Sequence, residues 1–380
     1  MPVLSCGGMR YQHSWSDVPE RDIPRANQEN LEKTIERAFA LGIVHIETAR
    51  GYGTSELQLG RILPALPRER LILQTKISPT ATAEEFLHKF DDSLKRLRVD
   101  YVDLFSVHGI NDRESLHHAL RKGGCLEAAL RLKERGLVRH VGFSTHATLE
   151  IILDALAADF EYINLHYYFV NQPTLPAVQL AAQKDMGVFI ISPNDKGGKL
   201  YDPPRKLREL CQPLSPMQFN DLFCLANPAV HTLSIGAARP SDFDEHVAAL
   251  EYYDQLHDVV APIQARLEQA LVETHGLEWW QRWTEGLPEH TQAPGQLNIR
   301  EIVRLYTFAA GLGLVEYGKF RYNLLGRGDS WFPGSNAAEF DESAVRRAVA
   351  NSPFPERIVG ALRSAHHLLA GEAVKRLSQS

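Results

Sequence analysis

Eight short apolar runs recur along the first two thirds of this 380-residue chain, and each is followed by a stretch with helical spacing. The runs cover residues 3–6, 43–46, 71–75, 101–107, 138–143, 162–165, 188–191 and 232–235. Several, such as L-I-L-Q-T, H-V-G-F-S and G-V-F-I-I, are almost continuously apolar. Strands of that kind suit a parallel sheet covered on both faces. Helices are expected between them at 27–41, 56–63, 83–97, 126–135, 148–158, 174–186, 216–226 and 242–256. In the first of these, Leu31, Ile35, Ala38 and Phe39 share one face, and Gly42 stops the helix. Eight strand–helix units favour an α/β fold closed into a (β/α)8 TIM barrel over an open doubly wound sheet. An open dinucleotide-binding sheet would carry G-x-G-x-x-G after its first strand, and Cys6-Gly7-Gly8-Met9 is not that motif.

The repeat stops near His257. Residues 1–257 are therefore read as the barrel, and 258–380 as a mostly helical C-terminal extension with helices at 259–275, 299–312 and 355–378. A composition of 44% hydrophobic and 23% charged residues fits a soluble globular protein. The net charge of −6 argues against a general nucleic-acid footprint. No apolar run approaches a membrane span, and the N-terminus lacks the charged and apolar regions of a signal peptide. Cys6, Cys125, Cys211 and Cys224 are scattered without a C-x-x-C pair, which points to free thiols in a reducing, cytoplasmic setting. The neighbouring histidines His117-His118 and His366-His367 do not converge on one point of a helix, so no metal site is expected from them.

A barrel places chemistry at the C-terminal ends of its strands. The second apolar run ends on Glu47, the third on Lys76 and the fourth on His108. Five residues after Glu47, Tyr52 stands between Gly51 and Gly53, and Thr54 or Ser55 is placed to cap the next helix. Taken singly, each residue also has a structural reading: an ion pair, a strand-end histidine, a loop anchor.

The segment Glu47–Glu56, E-T-A-R-G-Y-G-T-S-E, resembles the D-T-A-x-x-Y-G-x-S-E signature of the aldo-keto reductases, with Glu47 where most of that family has aspartate. The resemblance runs from about residue 7 to about 249, and extends to a branch with a C-terminal appendage. Some members of that branch carry a cysteine-rich iron–sulfur tail; this chain has no cysteine after Cys224, so no cluster is expected. The resemblance implies reduction of an aldehyde or ketone by a nicotinamide cofactor. In that scheme Tyr52 donates the proton, Lys76 tunes it, Glu47 holds Lys76, and His108 polarises the carbonyl. A free phenol, with a pKa of about 10, is too weak an acid for this near neutrality, and a neighbouring ammonium would lower it.

The same resemblance implies a cofactor laid across the barrel mouth. Gly8, Met9 and Arg10 follow the first strand; Ser144 and Thr145 end the fifth, and Asn164 ends the sixth. Ser192, Pro193, Asn194, Lys196 and Gly197 follow the seventh; Gly236, Ala237, Arg239, Asp242 and His246 follow the eighth. Gly236 and Ala237 let backbone N–H groups approach phosphate. Arg239 can grip a 2′-phosphate, which favours NADP(H) over NAD(H), and Asp242 and His246 would lie near the adenosine. Tyr11, Trp15, Tyr167, Tyr168 and Tyr201 are candidates for an aromatic substrate pocket. The expected partner is a small carbonyl compound, with the protein a monomer or weak homo-oligomer. The competing reading is a cofactor-binding regulatory or sensor barrel with little turnover.

Overall fold

The computed structural model describes residues 1–371. Eight parallel strands close into a barrel in chain order. They are β1 (Leu4–Gly7), β2 (His45–Glu47), β3 (Ile72–Ile77), β4 (Val102–Val107), β5 (Val138–Ser144), β6 (Tyr162–Leu165), β7 (Gly187–Ile191) and β8 (Thr232–Ile235). Closure is made by β1 against β8, with Leu4 opposite Leu233 and Cys6 opposite Ile235. With helices packed around these strands, the fold is the (β/α)8 TIM barrel followed by a helical C-terminal region.

The barrel interior is built in layers, as side chains alternate along each strand. Ile72, Leu104, Tyr162 and Phe189 fill the lower layer. Above them the interior turns polar. Gln74 Nε2 donates to Ser106 Oγ (3.0 Å) and to Asn164 Oδ1 (2.9 Å), and Ser106 Oγ lies 2.9 Å from Tyr162 Oη. His45 Nε2 lies 3.0 Å from Gln74 Oε1. An amide oxygen only accepts, so the ring proton sits on Nε2. This hydrogen-bonded layer is the floor on which the mouth residues stand.

Several local expectations change. A helix at Arg113–Leu120 follows β4 and was not expected, because its apolar pattern is thin. It is set by its cap: Asp112 accepts from the Ser115 N–H and Ser115 reaches back. The helix after Tyr52 spans Ser55–Ile62 without a side-chain cap. The Thr54 hydroxyl is drawn instead to Gln58 Oε1 at 2.8 Å. After β8, a continuous helix at 242–256 is replaced by a 3-10 turn Pro240–Phe243, a helix Asp244–Ala249 and a second 3-10 segment Leu250–Gln255. The last helix is Pro355–Leu369, and the expected continuation over 372–378 lies outside the described residues.

The chain divides into two compact units: residues 1–197 with 220–254, and residues 198–219 with 255 onward. Segment 198–219, assigned to the barrel from sequence, therefore groups with the C-terminal helices. Arg266 in the helix Leu256–His275 donates to Leu210 O (3.0 Å) at the helix Arg205–Cys211 and to Gln212 O, tying the segment down. The rest of that unit is built from Leu277–Arg282, Ile299–Leu312, Val315–Tyr322, Glu342–Ala348 and Pro355–Leu369. Its core includes Leu271, Ile302, Leu305, Ile358 and Leu362. Among the described residues, no helix is long and apolar enough to cross a membrane.

Candidate active site

Glu47 ends β2 opposite Gln74, and Lys76 in β3 stands opposite Ser106. Lys76 Nζ donates to Glu47 Oε1 in a very close buried ion pair, and to the Thr48 carbonyl at 2.9 Å. His108 follows β4, its backbone N–H held by Ile77 O at 2.7 Å. The Tyr52 ring centre lies 5.1 Å from Lys76 Nζ and 5.5 Å, edge-on, from the His108 ring. Gly53 explains how the tyrosine is aimed. Its φ is +53°, and a Cβ there would lie 1.9 Å from Ser14 O. Only glycine lets the Ser14–Trp15 backbone press against this turn. The Trp15 ring then stands 6.0 Å from the other side of Tyr52. The four residues expected from sequence to act together thus converge at the top of the barrel.

The charges differ from the sequence expectation. Burial pushes the Glu47 carboxyl up, but the Lys76 ammonium outweighs it and holds Glu47 below its ordinary value. Burial pulls Lys76 down against the raising effect of Glu47. The Tyr52 phenol is raised, first by burial and second by Glu47. The net shift is therefore opposite to the expected lowering by Lys76, because burial and the Glu47 charge both raise the phenol. Tyr52 keeps a solvent-facing edge, so burial acts on it less than on a fully enclosed phenol. His108 is lowered to about 3 by burial and then by Lys76, so it is neutral near pH 7.

Two buried amide atoms lack partners at the mouth: Asn164 Nδ2 and Asn194 Oδ1. Gln74 and Ser106 hold Asn164 Oδ1 inward, which leaves Nδ2 as a donor. A buried unmet donor and acceptor suit a ligand that presents an amide of its own. A nicotinamide carboxamide is such a group, so these residues fit the cofactor that the resemblance implies. Ser144 Oγ accepts from the Gly109 N–H (3.0 Å) and Thr145 Oγ1 donates to Ile110 O (2.7 Å), so both tie the β4 and β5 loops together. Ser192 has φ +55°, and the single turn Pro193–Lys196 follows it. A Cβ on Gly197 would lie 2.1 Å from Pro193 O.

Arg10 crosses from the β1 end to Asp195, paired at 3.1 Å with both side chains buried. It lies so close over Gly236 that a Cβ there would be 2.7 Å from its Nε. Gly236 thus makes room for Arg10. Met9 is half-buried beside it, and Ala237 is fully buried. Arg239 is exposed and pairs with Asp242 at 2.9 Å. Asp242 also accepts the Ala238 N–H at 2.8 Å. His246 is a correction: its Nδ1 lies 2.5 Å from Asp221 Oδ2, both side chains are about 1% exposed, and it offers no ligand a face. Tyr11, Tyr167 and Tyr168 are interior packing rather than pocket lining, and Tyr201 belongs to the other compact unit. Trp15, 46% exposed, is the candidate aromatic left beside Tyr52.

Sequence reasoning missed the polar layer of His45, Gln74 and Ser106, whose signal was a polar letter inside otherwise apolar strands. It named Lys196 but missed the basic cluster that Lys196 forms with His146 and His166. His146 Nδ1 lies 2.5 Å from His166 Nε2, and Lys196 Nζ is 3.2 Å from both.

A closed eight-stranded barrel thus gathers a tyrosine, a lysine–carboxylate pair and a histidine at the mouth where barrel enzymes place their chemistry. The Aldo/keto reductase family profile matches residues 3–251, and the chain belongs to that family of oxidoreductases. It is similar to L-galactose dehydrogenase of Arabidopsis thaliana, with 28% identity over 269 residues, 62% of this chain and 83% of the plant enzyme. An aldo-keto reductase of Mycobacterium sp. (strain KMS) is 30% identical over 185 residues, 46% of this chain and 63% of the relative. Methylglyoxal reductase of Salmonella typhi is 30% identical over 128 residues, 33% of this chain and 46% of that enzyme. Among solved structures, an aldo-keto reductase of Bacillus halodurans in its holo form has a TM-score of 0.57 at 21% identity, covering 70% of this chain and 91% of that one. A thermostable aldo-keto reductase in complex with epalrestat has a TM-score of 0.56 at 21% identity, covering 69% and 95%. These last two share the fold.

Proposed function

We propose that this protein is an NADP(H)-preferring carbonyl reductase of the aldo-keto reductase branch with a C-terminal appendage, without iron–sulfur ligands. It would interconvert a small aldehyde or ketone and its alcohol, in the cytoplasm, as a monomer or weak homo-oligomer. The reaction is assigned to the barrel unit of residues 1–197 with 220–254, in place of the continuous 1–257 read from sequence. The observation that carries this reading is the buried Glu47–Lys76 pair lying under Tyr52, with His108 edge-on to the same ring.

A reduced nicotinamide, when bound, supplies the hydride. Asn164 Nδ2 and Asn194 Oδ1 would hold its carboxamide. The neutral His108 imidazole donates a hydrogen bond to the substrate oxygen, where negative charge develops during reduction. Tyr52 delivers its phenolic proton to that oxygen. Its raised pKa keeps the proton in place until then, and Lys76 Nζ, 5.1 Å from the ring centre, is the cation beside the phenolate left behind. Glu47 favours the charged form of Lys76 against burial, which favours the neutral one. Solvent at the open edge of Tyr52 returns the proton. Arg239 is the cation for a 2′-phosphate, with Asp242 moderating its charge.

The test is turnover of a reactive aldehyde with NADPH and with NADH by wild type and Tyr52→Phe. The phenylalanine variant should lose about 10²- to 10⁴-fold in kcat, the usual share of a positioned proton donor. Equal rates in both proteins would remove Tyr52 from its assigned role, and little turnover of any reactive aldehyde by wild type would leave the cofactor-binding sensor as the better reading.

A further inference from the structure

The helical unit holds a buried cation that the barrel reaction does not use. Arg321, in the helix Val315–Tyr322, is 7% exposed. Its Nε and Nη1 are buried and have no hydrogen-bond acceptor. Its guanidinium carbon lies 3.8 Å from the centre of the Phe332 ring and 5.8 Å from that of Trp331. Aromatic faces attract the cation, but guanidinium N–H groups point outward in their own plane, where a ring below supplies no acceptor. The nearby Glu301 carboxylate acts on Arg321 through its charge, yet it is already clasped by Arg304. Arg304 Nε donates to Glu301 Oε2 at 2.9 Å and Nη2 to Oε1 at 2.6 Å. Burying charged donors without an acceptor is unfavourable, and native structures seldom do it unless a ligand or water completes the set.

The cover of this cation is a loop with closed ends. Gly326 N–H donates to Gly334 O at 2.8 Å, and Asn298 Nδ2 holds Pro333 O at 2.9 Å. Gly326, Gly328 and Gly334 have φ of +87°, +79° and +90°, conformations that side chains disfavour. Residues 326–330 are exposed, while Trp331 and Phe332 turn inward onto Arg321. The loop is an Ω-type flap with a polar rim and an aromatic underside.

We infer that Arg321 anchors an oxyanion-binding site in the helical unit, taking the carboxylate or phosphate of a small molecule, with Phe332 and Trp331 as its aromatic wall. The open Nε–H and Nη1–H lie on different edges of the planar guanidinium, so each offers one charged donor to an oxygen of such a group. The inference stands apart from the barrel chemistry and survives if that chemistry is wrong.

Trp331 makes the site observable. The full chain is titrated with sodium acetate and, separately, with inorganic phosphate, at constant ionic strength set with chloride. Tryptophan fluorescence and the melting temperature are followed together. Wild type should show a saturable fluorescence change and a rising melting temperature with at least one anion. The anion that saturates distinguishes carboxylate from phosphate. Arg321→Met, which keeps the apolar stem and removes the charge, should lose both responses. Trp331→Phe should lose most of the optical signal and keep the thermal one. If Arg321→Met does not fold, Arg321→Lys retains a charge without the fork and should bind about tenfold more weakly. No saturable response in wild type to either anion overturns the site. So does an unchanged response in Arg321→Met or, in its place, unchanged affinity in Arg321→Lys.

Discussion

Glu47 governs Tyr52 through Lys76: the carboxylate is bonded to the ammonium, and the ammonium stands 5.1 Å from the centre of the phenol ring. The pair is buried and lies directly on the polar layer of the barrel. A phenol beside a bare ammonium would be more acidic than usual, whereas this one is less acidic, first because it is buried and second because of the Glu47 charge.

Removing the Glu47 carboxylate should therefore make Tyr52 more acidic. In Glu47→Gln the basic limb of the pH profile of kcat/KM for carbonyl reduction should move to lower pH. The same change breaks a buried ion pair, which typically costs about 3–5 kcal/mol. Urea unfolding should show that loss near pH 7. Since Glu47 is lowered in the folded protein, its contribution is present above its unfolded value of 4.5 and fades as pH falls through the folded one. A basic limb that stays put would detach Glu47 from Tyr52.

His45 makes the protein acid-sensitive. Burial lowers it to about 4 from 6.5, so below 6.5 the unfolded chain takes up a proton that the folded chain refuses. Stability is full above 6.5 and declines as pH falls toward about 4. Between pH 7 and pH 5 this one group should remove about 2 kcal/mol, which denaturant unfolding at the two pH values can measure. His45→Gln should flatten that slope; the same slope in the variant would assign the sensitivity elsewhere.

Arg239 and Asp242 should tune cofactor choice in opposite directions. Arg239→Ala should weaken NADPH binding with little effect on NADH. Asp242→Asn keeps an oxygen for the Ala238 N–H and removes the charge that answers Arg239, so NADPH should bind several-fold more tightly. Fluorescence titration with both dinucleotides checks the pair, and equal shifts for both would remove Arg239 from the 2′-phosphate.

Gly53→Ala is expected to damage both stability and turnover. The new Cβ would meet Ser14 O, and φ of +53° disfavours a side chain. The backbone strain alone is worth on the order of 1–3 kcal/mol. The turn that aims Tyr52 would shift, so kcat should fall more than the melting temperature explains. An unchanged kcat would show that Tyr52 is positioned by Trp15 and His108 instead.

The polar layer under the mouth shows where sequence reading stops. Gln74 and Ser106 sit in strands that read as apolar runs, and their letters alone do not say whether they face the barrel or the helices. They become a network because β3 and β4 pair in register and Asn164 on β6 reaches across the interior. His246 shows the converse. It follows β8 where a ligand contact was expected, but the helix it sits on turns it inward to Asp221.

Read alone, the chain already declared eight strands, their parallel order, and which strand ends carry Glu47, Lys76 and His108. Apolar periodicity and the alternation of strand with helix are local properties, and eight such units have few ways to close. Tertiary structure alone decided charge relations such as Arg10 crossing to Asp195, His246 turning to Asp221 and Arg321 left beneath its aromatic flap. Electrostatics depends on distance and burial, and those are set only when segments far apart in sequence have packed.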